Sequence, residues 1–311
     1  MENPETAQAT AGRPSSPSAG LDACKPAGVS LTRICYHGWP NSWLIANDRI
    51  EAIVVAAIGR VMQLRLKGDA AGTFWENRAL DGQVHDGAGG EWLNLGGDKC
   101  WPAPQSDWPQ QQGRDWPPPA SFDARPMDAI ACERGVVLTS EVDPAYGIQI
   151  VRHVQLDASL PVMRIRTVYR KIAGDPVTVA IWSITQMQDP ERVCMVLNAK
   201  SRFVSGSIRL MPGEPADLQA DGPFLTLTRN PVECVKIGAD SSTITWVGPA
   251  CVVQIDAETG PGDYPDGGCV TEVYTNPDPL KYVELETLGP LENLSAGSQI
   301  ERTTTYTVMP R

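Results

Sequence analysis

The chain has 311 residues and carries 26 Lys and Arg against 37 Asp and Glu, a formal net charge of −11. That balance excludes a non-specific nucleic-acid tracker, which needs a positive field along the phosphate backbone. With 42% hydrophobic and 20% charged residues, the chain can bury a sizeable core and repels itself too little for wholesale disorder.

Residues 1–28 are rich in Ala, Pro, Ser, Thr and Gly without apolar periodicity, a composition that predicts a disordered arm. They lack the basic start and apolar run of a secretory signal, and the rest of the chain has no stretch of 18 apolar residues to span a bilayer. A cytoplasmic location without a membrane partner is therefore expected. Order is expected from Cys35 to Trp43 onward. Residues 41–68 then read as a strand, a turn at Asn47-Asp48, a second strand, and a third after Gly59 in which Met62, Leu64 and Leu66 alternate with Gln63 and Arg65.

Between Gly68 and Arg125 periodicity is lost, and five of the nine tryptophans fall in this stretch. A long segment of this kind reads as loop, and its heavy aromatic side chains must pack against something or line something. Beyond it come repeated strand-like runs, from GVVLTSEV (135–142) through PVTVAIWSITQM (176–187) to IERTTTYTVM (300–309). Gly, Pro, Asp and Asn separate them, which accounts for an excess of 28 glycines and 27 prolines. The pattern predicts an all-β fold, a large antiparallel β-sandwich forming a single domain over residues 29–311.

Eight cysteines show no CxxC spacing, so a zinc site is unsupported. Cys251 and Cys269 flank a Gly/Pro/Asp-rich turn and are the first pair to test for a disulfide. Buried free thiols are the simpler reading. His37, His85 and His153 are too few and too scattered in sequence to announce a metal cluster. The acidic turn from Asp256 to Asp266 lacks EF-hand spacing. No metal and no cofactor is expected.

Two segments carry candidate chemistry. In the strand from Lys281 to Glu286, period two puts Tyr282, Glu284 and Glu286 on one face and Val283 and Leu285 on the other, with same-face residues about 7 Å apart. If the apolar pair faces the core, both carboxylates project from the opposite surface. Their repulsion then raises one pKa toward the range of a general base; a solvated strand face is the bland alternative. In residues 92–108, Gly96 and Gly97 permit close backbone approach while Pro102 and Pro104 stiffen the backbone beyond them. Asp98, Lys99, Trp101 and Gln105 would then offer donors, acceptors and one flat apolar surface, the combination a sugar ring demands. GGDK is not a phosphate loop, because it lacks the P-loop spacing and ending. Trp75 and Asn77, beside Glu76 and Arg78, form a candidate second wall, with a capped turn around a buried Trp75 as the structural alternative. Arg152 and His153 must point to opposite faces of their strand.

GGDKCWPAPQ (96–105), YGIQIVRHVQL (146–156), AIWSITQM (180–187) and TEVYTNPDPLKYVELETLGPLENLSAGS (271–298) resemble the galactose-mutarotase-like superfamily, and more closely its bacterial DUF4380 proteins. The resemblance spans about residues 30–309 and implies a supersandwich with a sugar-binding cleft on one concave sheet. In the epimerases of that superfamily a carboxylate deprotonates the anomeric hydroxyl and a histidine protonates the ring oxygen. The resemblance places the carboxylate at Glu286, with Glu284 to tune or replace it. The His-Gly-x-x-x-Arg pattern of the epimerases is missing, since His37-Gly38 has no arginine in register. His153, His37 and Lys99 are left as candidates for the acid. The expectation is a sugar epimerase or mutarotase-like enzyme acting on a small-molecule or oligosaccharide ligand; the alternative is a non-catalytic carbohydrate-binding protein using the same cleft.

Overall fold

The computed structural model describes residues 28–84 and 91–311. The expected arm, apart from Gly28, and His85 lie outside the described residues. Strands dominate, in two sheets, and every pairing between named strands is antiparallel. The first sheet opens with β1 (Ser30–Tyr36), β2 (Trp39–Ala46), β3 (Ile50–Val55), β4 (Arg60–Leu66) and β5 (Asp98–Ala103). It continues through β10 (Val177–Gln188), β19 (Tyr282–Leu288), β18 (Thr271–Thr275), β15 (Val235–Ala239) and β12 (Ile208–Arg209), with β20 (Glu292–Leu294) paired to β10. The second sheet begins with β13 (Ala216–Asp221), β14 (Phe224–Thr228), β11 (Arg192–Val196), β16 (Thr243–Val247) and β17 (Cys251–Ala257). It ends with β21 (Gln299–Pro310), β9 (Val162–Lys171), β8 (Ile148–Leu156), β7 (Gly135–Val142) and β6 (Asp128–Cys132).

The inner faces of both sheets share one hydrophobic core, in which Val283 and Leu285 of β19 meet Val253 and Ile255 of β17 among many others. One polar network crosses it. Asp98 of β5 is paired with Arg152 of β8, and its Oδ2 accepts hydrogen bonds from Thr185 of β10 (2.9 Å) and Tyr306 of β21 (2.7 Å). Asp98 is fully buried and Arg152 1% exposed, so the pair joins the sheets where neither charge has water to fall back on.

The segment read as a loop around GGDK contains a strand. β5 pairs with β10 from Asp98↔Thr185 to Ala103↔Ala180, although Pro102 sits inside it. The reason is local: β4 pairs with β5 only at Val61↔Asp98. The missing N–H of Pro102 therefore falls on an edge that no ladder uses, the setting in which a strand tolerates proline. On that same edge the Pro102 carbonyl accepts the Trp108 indole N–H at 2.8 Å.

The short helices α1 (Trp108–Gln112) and α2 (Ala120–Asp123) lie in the tryptophan-rich segment after β5. Cys251 and Cys269 are buried free thiols, so the disulfide candidate is corrected, and every cysteine among the described residues is free. No helix among the described residues is long and apolar enough to cross a membrane.

Candidate functional site

The strand ladder around β19 assembles the site. Directly opposed residues of an antiparallel pair share a face, and the register places Trp101 beside Trp182, Lys99 beside Ile184, Ile184 beside Glu286, and Glu286 beside Glu272. One row along, Gln186, Glu284, Tyr274 and Lys236 are neighbours. All lie on the face turned away from the second sheet, because the alternating residues Val283, Leu285 and Val273 occupy the shared core. Val283 and Leu285 thus drive the strand inward, and the carboxylates between them are carried outward.

Two ion pairs result. Lys99 Nζ lies 3.3 Å from Glu284 Oε1 and 4.9 Å from the Trp101 ring centre. Lys236 Nζ lies 2.9 Å from Glu286 Oε2 and 2.5 Å from Glu272 Oε2, and 4.5 Å from the Trp182 ring centre. The Trp182 indole N–H donates to Glu286 Oε2 at 2.6 Å. Glu286 is 1% exposed and Glu272 fully buried, whereas the Glu284 side chain keeps 12% of its surface.

Burial sets the titration behaviour. It raises the Glu286 carboxyl above the usual carboxylate range against the opposing pull of Lys236, and it raises Glu272 further. Burial alone would lower Lys236, yet its two carboxylates together hold it firmly charged. Lys99 goes the other way: desolvation outweighs Glu284 and lowers its affinity for a proton. The face therefore presents a carboxylate and an ammonium whose pKa values are pushed toward one another, the requirement for an acid–base couple near neutrality.

Supporting contacts fix these groups. Arg60, fully buried, donates to Asp123 and to the Gly96 carbonyl, and Asp123 accepts the Trp101 indole N–H at 2.9 Å. Gly96 has φ +92°, and a Cβ there would lie 2.3 Å from the Trp75 carbonyl oxygen. The glycine is needed because the Trp75 segment runs directly against it. Trp101 in turn touches Trp92, Trp108, Trp116 and Trp182. Trp116 is 44% exposed, so the cluster ends in an indole open to solvent.

The structure separates the residues expected to act together. Glu286, Glu284, Lys99 and Trp101 occupy one sheet face. Asp98 does not join them, because β-strand alternation turns it into the core toward Arg152. His153 is corrected outright as a partner for Glu286. It lies on β8 of the second sheet, on the face opposite Arg152, where Arg166 Nη2 meets its Nε2 at 3.0 Å; the whole core stands between it and β19. Gln105 opens an exposed turn after β5. Asn77 caps a short 3₁₀ turn by accepting the Ala79 N–H at 3.2 Å.

Trp75 borders the site and a second space. Its ring packs on Tyr282, centroids 4.6 Å apart, and beyond it opens a cleft of about 520 Å³ lined by Tyr36, His37, Gln63, Glu76 and Arg78 among others. His37 meets Arg78 through Nδ1. This contact lies in the cleft behind Trp75, apart from Glu286. Lys236, Glu272 and Trp182 escaped notice in the sequence. Alternation in Val235-Lys236-Ile237 puts the lysine on the outward strand face, but its burial there depends on neighbours distant in sequence.

Solved structures with the same architecture include a galactose mutarotase-like protein from Lactobacillus casei ATCC 334, with 12% identity, coverage of 86% of this chain and 99% of that one, and a TM-score of 0.57. A galactose mutarotase related enzyme from Lactobacillus acidophilus matches at 6% identity, 86% and 97% coverage and a TM-score of 0.54. The Slr1438 protein from Synechocystis sp. PCC 6803 matches at 11%, 90% and 100%, and 0.57. The fold is the galactose-mutarotase-like β-sandwich. No protein-family model matches the chain, and no curated protein matches it.

Proposed function

We propose that this chain is a carbohydrate-active protein of the epimerase or mutarotase kind, close to the DUF4380 proteins, that interconverts sugar anomers by general acid–base chemistry. The observation that carries the reading is the asymmetry of Glu286. Its Oε2 takes both Trp182 and Lys236, while no hydrogen bond from a described residue reaches Oε1. A carboxylate held this way keeps one oxygen in fixed orientation and leaves the other basic.

Glu286 would remove the proton from the anomeric hydroxyl. Lys99, whose proton burial loosens, would deliver one to the ring oxygen as the bond between the anomeric carbon and that oxygen breaks. The open-chain aldehyde then rotates and recloses with both proton transfers reversed, so protons and electrons balance over the cycle. Lys99 would take the role that the superfamily gives to histidine, and Trp101 offers the flat surface beside it. The test is anomeric exchange in a panel of free sugars, comparing the parent chain with Glu286→Gln.

The exposed indole of Trp116 favours a second reading, a non-catalytic carbohydrate-binding protein in which aromatic rings supply the contact surface. That reading predicts sugar-dependent quenching of tryptophan fluorescence in both the parent and Glu286→Gln, with no exchange in either.

A further inference from the structure

We propose that Glu272 is held as a neutral carboxylic acid beside an ionised Glu286, and that it is a positioning residue which leaves the charge of Lys236 committed to Glu286. The functional half of this proposal rests on the acid–base reading above; the protonation half does not.

The geometry starts from three adjacent strands. Glu272 on β18 is directly opposed to Glu286 on β19, and Lys236 reaches both from β15. Two carboxylates thus share one ammonium at a place where neither has more than 1% of its surface exposed. Two like charges this close, both out of water, cannot both stay ionised cheaply; one proton between them removes the repulsion.

The hydrogen bonds decide which residue holds that proton. Glu286 Oε2 has a directed indole N–H and the ammonium. Glu272 shares the ammonium, its Oε2 lying 2.5 Å from Lys236 Nζ, but it has no counterpart to the indole: neither of its oxygens accepts a directed hydrogen bond from a described residue. A fully buried anion without a directed donor is far more costly than a buried neutral acid. Besides Lys236, the ionisable groups that act most strongly on the pair bring no positive charge. They are Asp266 and Cys269, which precede β18, and Glu284 further along β19; the Cys269 thiol is itself pushed up by burial. Among the described residues Lys236 is the only cation paired with either carboxylate. Were Glu272 ionised, Lys236 would be divided between two anions; with Glu272 neutral, Glu286 remains the single anion.

Infrared spectroscopy of the full chain at pH 7 tests the protonation state without any substrate. A carbonyl band of a protonated carboxyl that shifts on ¹³C labelling of glutamate is expected in the parent. It should vanish in Glu272→Gln and persist in Glu76→Gln, the control for another glutamate raised by burial. Absence of the band in the parent, a measurement that needs no variant to fold, or its persistence in Glu272→Gln overturns the proposal. The pH profile of anomeric exchange tests the positioning role. Glutamine mimics the neutral acid, so Glu272→Gln should keep the acidic limb where the parent has it; a limb displaced to lower pH shows that a negative charge was removed and overturns the proposal. Exchange absent from every variant defeats the acid–base reading and its positioning half while the infrared result still decides the protonation state.

Discussion

At the scale of single residues, the opposite shifts of Glu286 and Lys99 make a specific demand on the pH dependence of exchange. The base must be ionised and the acid protonated. The acidic limb should therefore lie above the ordinary glutamate value of 4.5, and the alkaline limb below the ordinary lysine value of 10.5. A profile flat across both limbs would remove the couple from the mechanism. Glu272 makes a matching demand on stability. Its folded-state pKa is raised above 4.5, so the unfolded chain releases that proton first and the native state loses stability as pH rises from about 4.5 through the folded-state value. Glu272→Gln has no proton to lose. Thermal unfolding should show the difference in melting temperature moving in favour of the variant as pH rises, and a difference independent of pH would contradict the assignment.

At the scale of elements, the ladder Tyr282–Glu286 was legible in the sequence because period two needs only local alternation, and Val283 and Leu285 identify the inward face. The partners of that ladder were not legible. Lys236 precedes Glu286 by fifty residues, and only the order β19-β18-β15 brings them together. Residues 98–103 misled for another reason: Pro102 argues against a strand unless the neighbouring ladder is known to have ended. The consequence for Asp98 is testable. It belongs to a buried ion pair between the sheets, so Asp98→Ala strands Arg152 and should cost about 3–5 kcal/mol, read by urea unfolding; a loss below about 1 kcal/mol would deny it that role. Gly96 sets the path of the segment carrying Lys99. Gly96→Ala forces a Cβ against the Trp75 carbonyl at positive φ, and should destabilise by more than about 1 kcal/mol. A neutral result in the same unfolding measurement would mean that the segment relaxes freely.

At the scale of the whole molecule, strand spacing and the Gly/Pro-rich turns foretold two antiparallel sheets, and the sandwich results from apolar faces that must meet. What sequence spacing could not convey is which side of the sandwich each residue takes. His153 and Glu286 both sit on well-formed strands, yet one belongs to each sheet and each points outward. That same division puts Lys99, Glu284, Glu286, Trp101 and Trp182 on one sheet face. The net charge of −11 excludes little on this face, where two lysines stand against the three outward carboxylates.

Acid–base chemistry at an anomeric centre is the activity proposed for this face. Exchange spectroscopy by NMR on free sugars, with near-UV circular dichroism to confirm that each variant is folded, tests it most directly. Exchange above the uncatalysed rate is predicted in the parent, with a loss of roughly 10²-fold or more in Glu286→Gln. Equal exchange in the two folded proteins, whether at the uncatalysed rate or above it, would contradict the proposal.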